Sequence, residues 1–309
     1  MIKNLVSIII PCFNVEDFIE ESIASCLQQT YNSIEIICVD NASTDSTYSK
    51  LKKLAAKHSS IKVLTEKNSG APFARNKGLA EASGEWLQFL DADDILLNEK
   101  IKHQVFVAKH SVANGQKLAA VIGDYKRKYI NGSIKNFFFE ENPFMGILNS
   151  NFGHTSSILW NANHVFAAGG WDNTKSSSQE YNLLFELFKL GCAFKNDHEI
   201  LTLVRNRPSG QITSGNQTKK WTNYANLRCE MLAYAIDNPR GIQIEKVKKT
   251  VFEDILKASK YDFKEASKLF ETYLPDYNPY FDNPKKFIFK ISQLFLGFSG
   301  FLRLKKLEV

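Results

Sequence analysis

Apolar and polar positions alternate in blocks along the first hundred residues. Val6 to Ile10 is a β-branched run closed by Pro11, the signature of a buried parallel strand. Glu16 to Gln29 then places Ile19, Ile23, Cys26 and Leu27 at helical spacing. Ile34 to Val39 reads as a second strand and is followed by Asp40-Asn-Ala-Ser-Thr-Asp45. Tyr48, Leu51, Leu54 and Ala55 mark one face of the next helix, and Ile61 to Leu64 a third strand. A polar loop leads to a helix from about Pro72, where proline suits the first turn. Trp86 to Leu90 gives the fourth strand. This strand–helix order predicts a doubly wound, mainly parallel α/β sheet with right-handed crossovers.

After Asp94 the pattern changes. Asn98 to Ala113 predicts a helix and Ala119 to Ile122 a strand. Asn131-Gly132 marks a hairpin between Tyr125–Ile130 and Ser133–Phe139. Ile158 and Leu159 open a short strand ahead of Gly169-Gly-Trp-Asp172. The segment around Tyr181 to Leu190 is apolar almost all round, as in a buried helix. Arg205 to Gly215 is a loop by composition. From Trp221 the pattern is helical through Tyr273, and Pro275, Pro279 and Pro284 mark a linker. The expected organisation is one α/β domain over 1–215, split into halves at 95/96, then helices over 216–275 and a linker and tail over 276–309.

The 309 residues suffice for a full core, and 44% hydrophobic with 23% charged residues is ordinary for a globular chain. The formal charge of +6 is concentrated at the end: six basic residues between Lys285 and Lys306, less Glu308, account for +5. The remainder is near neutral, which argues against diffuse nucleic-acid binding. Five cysteines show no metal or disulfide spacing, as expected of a reducing, cytoplasmic setting. The first residues lack the pattern of a secretory signal, and no apolar run approaches the ~20 residues that span a bilayer.

The fourth strand ends in Asp91, Asp93 and Asp94. Parallel strands deliver their carboxyl ends to one rim, where open α/β sheets bind ligands. Ends at Pro11, Val39 and Leu90 would therefore gather Asn14, Asp40, Asn41, Asp45 and the three carboxylates in one cleft, with Arg75 at a nearby helix start. On these residues alone two readings stand open: a divalent cation held with a phosphate ligand, or an acidic turn capping the next helix. Neither GxGxxG nor GxxxxGK[ST] occurs, so a Rossmann or P-loop phosphate cradle is not indicated.

Four blocks carry a family resemblance: Val6-Ser-Ile-Ile-Ile-Pro-Cys-Phe-Asn14, Val39-Asp-Asn-Ala-Ser-Thr-Asp45, Asn68-Ser-Gly70 with Ala74-Arg-Asn-Lys-Gly-Leu79, and Leu90-Asp-Ala-Asp-Asp94. In this order and spacing they resemble the inverting family-2 glycosyltransferases of GT-A fold, most closely over 5–95 and thinning toward 215. The resemblance implies a sugar-nucleotide donor, most naturally a UDP-sugar, Mn²⁺ or Mg²⁺ as cofactor, and a glycan or lipid-linked acceptor in surface-polysaccharide assembly. It implies Asp93 as the main metal ligand and Asp91 as a ribose or metal contact. Pro11, Phe13, Asn14, Asp40, Asn41, Asp45, Asn68, Arg75, Asp91 and Ala92 would line the nucleotide. Many members carry an acid where this chain has Asn41, which leaves other nucleobases open.

The later blocks are shorter. Gly169-Gly-Trp-Asp172 resembles the element before the family's acidic pair, which aligns with Gln179-Glu180 and implies Glu180 as catalytic base. Ser177-Ser-Gln-Glu180 is equally a capping box. Arg205 and Arg207 resemble a basic loop that closes over the diphosphate. His154 and Trp171 are further candidates for ligand contact, while Asp124 reads as a turn residue. Two other functions remain open: a non-catalytic sugar-nucleotide-binding subunit, and a nucleotidyltransferase, for which Cys12-Phe-Asn14 offers no triphosphate loop. Apolar residues from Phe287 to Leu302, flanked by basic ones, form an amphipathic pattern over 284–307 that suits the cytoplasmic membrane surface.

Overall fold

The computed structural model describes residues 1–111, 117–207 and 216–277. Its contacts divide the chain into two units, Met1–Ser214 and Gly215–Val309. The first opens with β1 (Ile2–Cys12), α1 (Ile19–Leu27), β2 (Ile34–Asp40), α2 (Thr47–Lys57), β3 (Ile61–Thr65), α3 (Ala71–Glu81) and β4 (Gly84–Phe89). β1 lies between β2 and β4, parallel to both, and β3 extends the sheet beyond β2. Val6, Ile8, Ile9 and Ile10 are fully buried because helices cover both faces of this central strand. α3 lies close against it: a Cβ at Gly78 would collide with the side chain of Ile9. That close contact sets the height at which Arg75, one turn earlier, meets the rim.

The second half supplies β5 (Ile95–Leu96), α4 (Lys100–Ser111), β6 (Leu118–Gly123), β7 (Tyr125–Lys128), β8 (Ile134–Phe137) and α5 (Pro143–Leu148). β9 (Ile158–Asn161), α6 (Ala162–Ala167), α7 (Gln179–Lys189), β10 (Ala193–Asp197) and β11 (Thr202–Arg205) complete the unit. The main sheet has seven strands in the order β10-β6-β9-β4-β1-β2-β3, with β9 antiparallel to both neighbours. A smaller sheet, β5-β11-β7-β8, stands at the carboxyl end of β4. Here the structure corrects the helix-cap reading of Asp94. Ile95 and Leu96 turn into β5 and α4 starts only at Lys100, so Asp94 is the hinge between the two sheets. It also corrects Arg205, which ends a strand instead of opening a loop.

The second unit contains α8 (Gln217–Asp237), α9 (Ile244–Ser259) and α10 (Phe263–Tyr273). Within it, buried Arg228 pairs with Asp254 at 2.9 Å, and Phe252 packs edge-on against Phe270. No helix among the described residues is long and apolar enough to cross a membrane. The amphipathic tail over 284–307 lies outside the described residues.

Candidate active site

A cleft of about 350 Å³ opens at the carboxyl ends of β1, β2 and β4. Pro11, Phe13, Asn41 and Gly70 form the side nearer β2, and the Asp91–Asp94 turn forms its floor. Arg127 from β7, His154 and the Val204–Arg207 segment face them across the opening. The smaller sheet therefore acts as the second wall, which is why the folding-over of the chain at Asp94 creates a site at all.

The carboxylates are held from several elements. Asp94 is 1% exposed; its Oδ2 accepts from the Ser156 hydroxyl at 2.6 Å and its Oδ1 from the Arg205 N–H at 3.0 Å. Ser156 Oγ also accepts from the Asp91 N–H at 3.1 Å, so one hydroxyl fixes both ends of the turn. Burial, then repulsion from Asp93 and Asp91, pushes the Asp94 pKa well above the carboxylate range. Burial and Asp91 also raise Asp93, against the pull of Arg207, whose Nε lies 2.7 Å from its carboxylate. Asp91 goes the other way: burial opposes ionisation, but the Arg75 guanidinium at 2.6 Å and other cations keep its pKa low.

Donor atoms of Asp91, Asp94 and His154 lie within 4.8 Å of one another. Burial drives the His154 pKa down to about 4, with Arg127 and Arg75 adding to it against Asp91. The imidazole is thus neutral near pH 7, so its 3.7 Å approach to Asp94 is not an ion pair; its Nδ1 accepts from the Ser156 N–H at 3.4 Å, a long bond that a metal at this nitrogen would displace. Two carboxylates and a neutral imidazole fit a divalent cation such as Mn²⁺. Asp93, the ligand implied by the resemblance, lies beside this group with its carboxylate turned to Arg207.

Arg75 links the acidic turn to the start of α7. Its Nη2 donates to Asp91 and its Nη1 donates to Gln179 Oε1 at 2.7 Å, while the guanidinium lies 4.5 Å from the centre of the Trp171 ring. At 2% exposure Arg75 is a buried tie rather than a free phosphate donor. Trp171, also 2% exposed, fills the core beneath it and is closed to a sugar ring. Glu180 is the next residue after Gln179. Burial raises the Tyr125 hydroxyl pKa, Arg127 opposes this, and Glu180 and Asp94 both add to it. Glu180 is therefore within electrostatic range of the wall that Tyr125 and His154 form, their rings 5.4 Å apart. α7 begins at Gln179 behind Ser178, whose backbone is left-handed (φ 56°) and whose side chain makes no cap bond. This moves Glu180 to the second helical position, one short of the capping-box register.

The nucleotide-side residues divide into cleft-lining and scaffolding groups. Pro11, Phe13, Arg75, Asp91 and Ala92 line the cleft. Asp40 does not line the cleft: it is 5% exposed, its Oδ2 accepts from the Ser43 N–H at 3.4 Å and its buried Oδ1 has no hydrogen-bond partner among the described residues. Asn41 lines the cleft too, but its amide is committed: Nδ2 donates to the Glu66 and Asn68 carbonyls at 3.0 and 2.7 Å, and Oδ1 accepts from the Gly70 N–H at 2.8 Å. Asn68 contributes that carbonyl to the clamp. Asp45 accepts from the N–H groups of Glu16 and Thr47, so it secures the start of α2, and Asn14 Oδ1 accepts from the Thr44 N–H. Asp124 holds the Phe139 N–H at 3.0 Å, in keeping with a turn role.

Sequence reasoning missed Arg127. It reaches the cleft from β7, stacked against Tyr125 and Phe137, and no carboxylate among the described residues pairs with it. Only the hairpin signal at Asn131-Gly132 pointed to its strand, and nothing in the local pattern showed which face would turn inward. Asp94 and Ser156 were missed as a pair because they are 62 residues apart.

The family model for glycosyl transferase family 2 matches residues 7–166. An uncharacterised glycosyltransferase of Haemophilus influenzae is 29% identical over 284 residues, covering 87% of this chain and 86% of its own. The Escherichia coli glucosyltransferase WfgD, named for UDP-Glc and α-D-GlcNAc-diphosphoundecaprenol, is 45% identical over 102 residues, 33% of this chain and 40% of that one. Coverage of such relatives is uneven, since a second Haemophilus glycosyltransferase is matched over only 41% of its length. Staphylococcus aureus TarS, solved with UDP-GlcNAc, superposes with a TM-score of 0.64 at 16% identity, covering 87% of this chain and 80% of that one, which identifies the fold as GT-A. With more than half its length matched by the family model and its motifs assembled at one rim, the chain is a glycosyltransferase and belongs to glycosyl transferase family 2.

Proposed function

We propose that the protein transfers a sugar, with inversion, from a nucleotide-diphosphate donor to a hydroxyl of a glycan or lipid-linked acceptor in surface-polysaccharide assembly. The observation that carries this is the Asp91–Arg75–Gln179 chain at 2.6 and 2.7 Å. It ties Gln179, the neighbour of Glu180, to the acidic turn, which supports the arrangement a single displacement requires: a base on one side of the anomeric carbon and a diphosphate site on the other. WfgD, named for a UDP-sugar donor and a diphosphoundecaprenol-linked acceptor, and TarS, solved with UDP-GlcNAc, support a UDP-sugar donor, and WfgD supports the lipid-linked acceptor.

In this reading Pro11 and Phe13 receive the nucleoside, and Asp91 meets the ribose. Asp91, Asp94 and His154 would hold Mn²⁺ or Mg²⁺, with Asp93 joining once Arg207 exchanges its carboxylate for a phosphate. The cation supplies Lewis-acid neutralisation of the departing diphosphate. Arg127, Arg205 and Arg207 add positive charge around that group. Glu180, near the positive end of α7, takes the proton of the acceptor hydroxyl as that oxygen attacks.

The test pairs nucleotide-binding thermal shifts with transfer assays, using a panel of sugar nucleotides with and without Mn²⁺. Glu180→Gln should bind donor like the parent and lose transfer; unimpaired transfer by that variant would place the base elsewhere. Asp93→Ala should weaken the dependence of donor binding on metal, and an unchanged metal titration would discard Asp93 as a ligand.

A further inference from the structure

The hairpin that carries Arg127 has a second face that the reaction does not use. β7 and β8 pair antiparallel with Lys126 opposite Asn136 and Lys128 opposite Ile134. By the period-two alternation of strands these four share the face opposite Arg127, continued by Phe138, with Ile130 in the turn that joins the strands. Ile130, Ile134 and Phe138 are 66%, 57% and 61% exposed, a concentration of large apolar side chains that a solvated strand pair normally avoids. β8 is the outer strand of the smaller sheet among the described residues, none of which pairs with its free edge.

The charge on this hairpin is of one sign. From Tyr125 to Phe139 the chain contains Lys126, Arg127, Lys128 and Lys135 and no acid. Exposed apolar side chains interleaved with cations complement an anionic bilayer surface, where the first enter the interface and the second meet lipid headgroups. A protein partner would need an acidic rim matched to an apolar centre, which nothing in the chain points to. The inner face of the same hairpin lines the cleft through Arg127 and borders it through Tyr125. A membrane seated on the outer face would therefore lie beside the cleft, where a lipid-anchored substrate has to enter.

We infer that the outer face of the β7–β8 hairpin, formed by Lys126, Lys128, Ile130, Ile134 and Phe138, is a docking surface for anionic membrane. The inference rests on the proposed reaction for its purpose, since a lipid-linked acceptor gives the contact its use. Its test is independent of turnover. All five native cysteines are buried, so Ile134→Cys in the full chain can take a single environment-sensitive dye, with Lys53→Cys on α2 as control.

On vesicles containing phosphatidylglycerol the dye at 134 should become shielded from iodide while the dye at 53 stays accessible, and neutral phosphatidylcholine vesicles should shield neither. Lys126→Ala with Lys128→Ala should lower partitioning onto the anionic vesicles roughly twenty-five-fold, at about fivefold per lysine. Donor turnover with a water-soluble acceptor should be unchanged in that variant, so a failure of the docking surface is distinguishable from a failure of the proposed reaction. The inference is overturned if the chain binds vesicles with position 134 still accessible, which would assign binding to another segment. It is equally overturned if the chain does not bind, or if position 134 is already shielded without lipid, which would mean that protein covers this face.

Discussion

Asn41→Asp exchanges one NH₂ for an oxygen at a residue 4% exposed, and the structure dictates a loss. The amide hydrogens of Asn41 now serve the Glu66 and Asn68 carbonyls at 3.0 and 2.7 Å, while its oxygen receives the Gly70 N–H at 2.8 Å. An aspartate keeps the Gly70 bond and strengthens it, but turns a charged oxygen toward two carbonyl oxygens. Two lost hydrogen bonds at about 1 kcal/mol each, plus the cost of leaving buried acceptors unmet, outweigh that gain, for a net of roughly 2–3 kcal/mol. For a unit of this size that is about 5–10 °C in Tm. Thermal unfolding at pH 7, followed by the near-ultraviolet signal of Trp86, Trp160 and Trp171, reads the loss. Amide exchange at 66–70 localises it. The new carboxyl has its pKa raised by its carbonyl neighbours, so the folded state binds its proton more tightly than the unfolded chain; the defect should be smallest in acid and grow as pH rises through that pKa. An Asn41→Asp protein as stable as its parent, and tighter in its hold on uridine nucleotides, would refute the clamp and give the amide back to the nucleobase.

Arg75→Met should cost about 2–4 kcal/mol, somewhat less than a fully buried broken pair because the Asp91 side chain is 29% exposed, and should lower transfer more than donor binding; equal losses in both would deny Arg75 its link to α7. Lys100 is buried, its ammonium donating to the Ser157 carbonyl at 3.0 Å, and burial lowers its pKa to about 7. Between that value and about 10.4 the unfolded chain binds the extra proton, so this group makes stability rise with pH across the window, and Lys100→Met should flatten the rise in urea midpoints. With Asp93 and Asp94 both raised, protons compete with a cation for them, so Mn²⁺ affinity by calorimetry should fall as the pH is lowered; a flat profile would remove these carboxylates from the ligand set.

The central sheet was legible because its signal is local. Val6 to Ile10, Ile34 to Val39 and Trp86 to Leu90 are apolar runs bounded by turn chemistry, and each became a strand at its expected place. The cleft was legible mainly at the strand ends, where the 91–94 turn, Pro11, Phe13 and Asn41 reached it; Arg75, His154, Arg205 and Arg207 reached it from other elements. β5, β10 and β11 went unread since two to five residues carry no period, and they are strands only through pairing with distant segments. Asn41 and Asp45 show a related limit. A polar residue at a rim can face the ligand or hold the loop that faces it, and the sequence is the same in both cases. Asn41 accordingly faces the cleft with its hydrogens spent, and Asp45 holds α2.

The three carboxylates of the Asp91–Asp94 turn are chemically alike and end with different duties, because different elements answer each one. α3 sends Arg75 to Asp91, the segment after β11 sends Arg207 to Asp93, and Asp94 receives only a hydroxyl and a backbone N–H. Two of the three carboxylates therefore meet cations from separate parts of the fold; only Asp91 is lowered in pKa, while Asp93 stays raised despite Arg207 and Asp94 is raised furthest from the carboxylate range. Such a cluster is costly without a cation, and neutral His154 beside it adds a ligand without adding positive charge. The same Arg75 also fixes the helix that carries Glu180. Compensating Asp91 and holding the start of the helix that carries the proposed base are thus one packing problem, met by a single buried guanidinium. A change at Arg75 should accordingly be felt at both ends of the reaction, whereas a change at Arg207 should be felt only at the diphosphate.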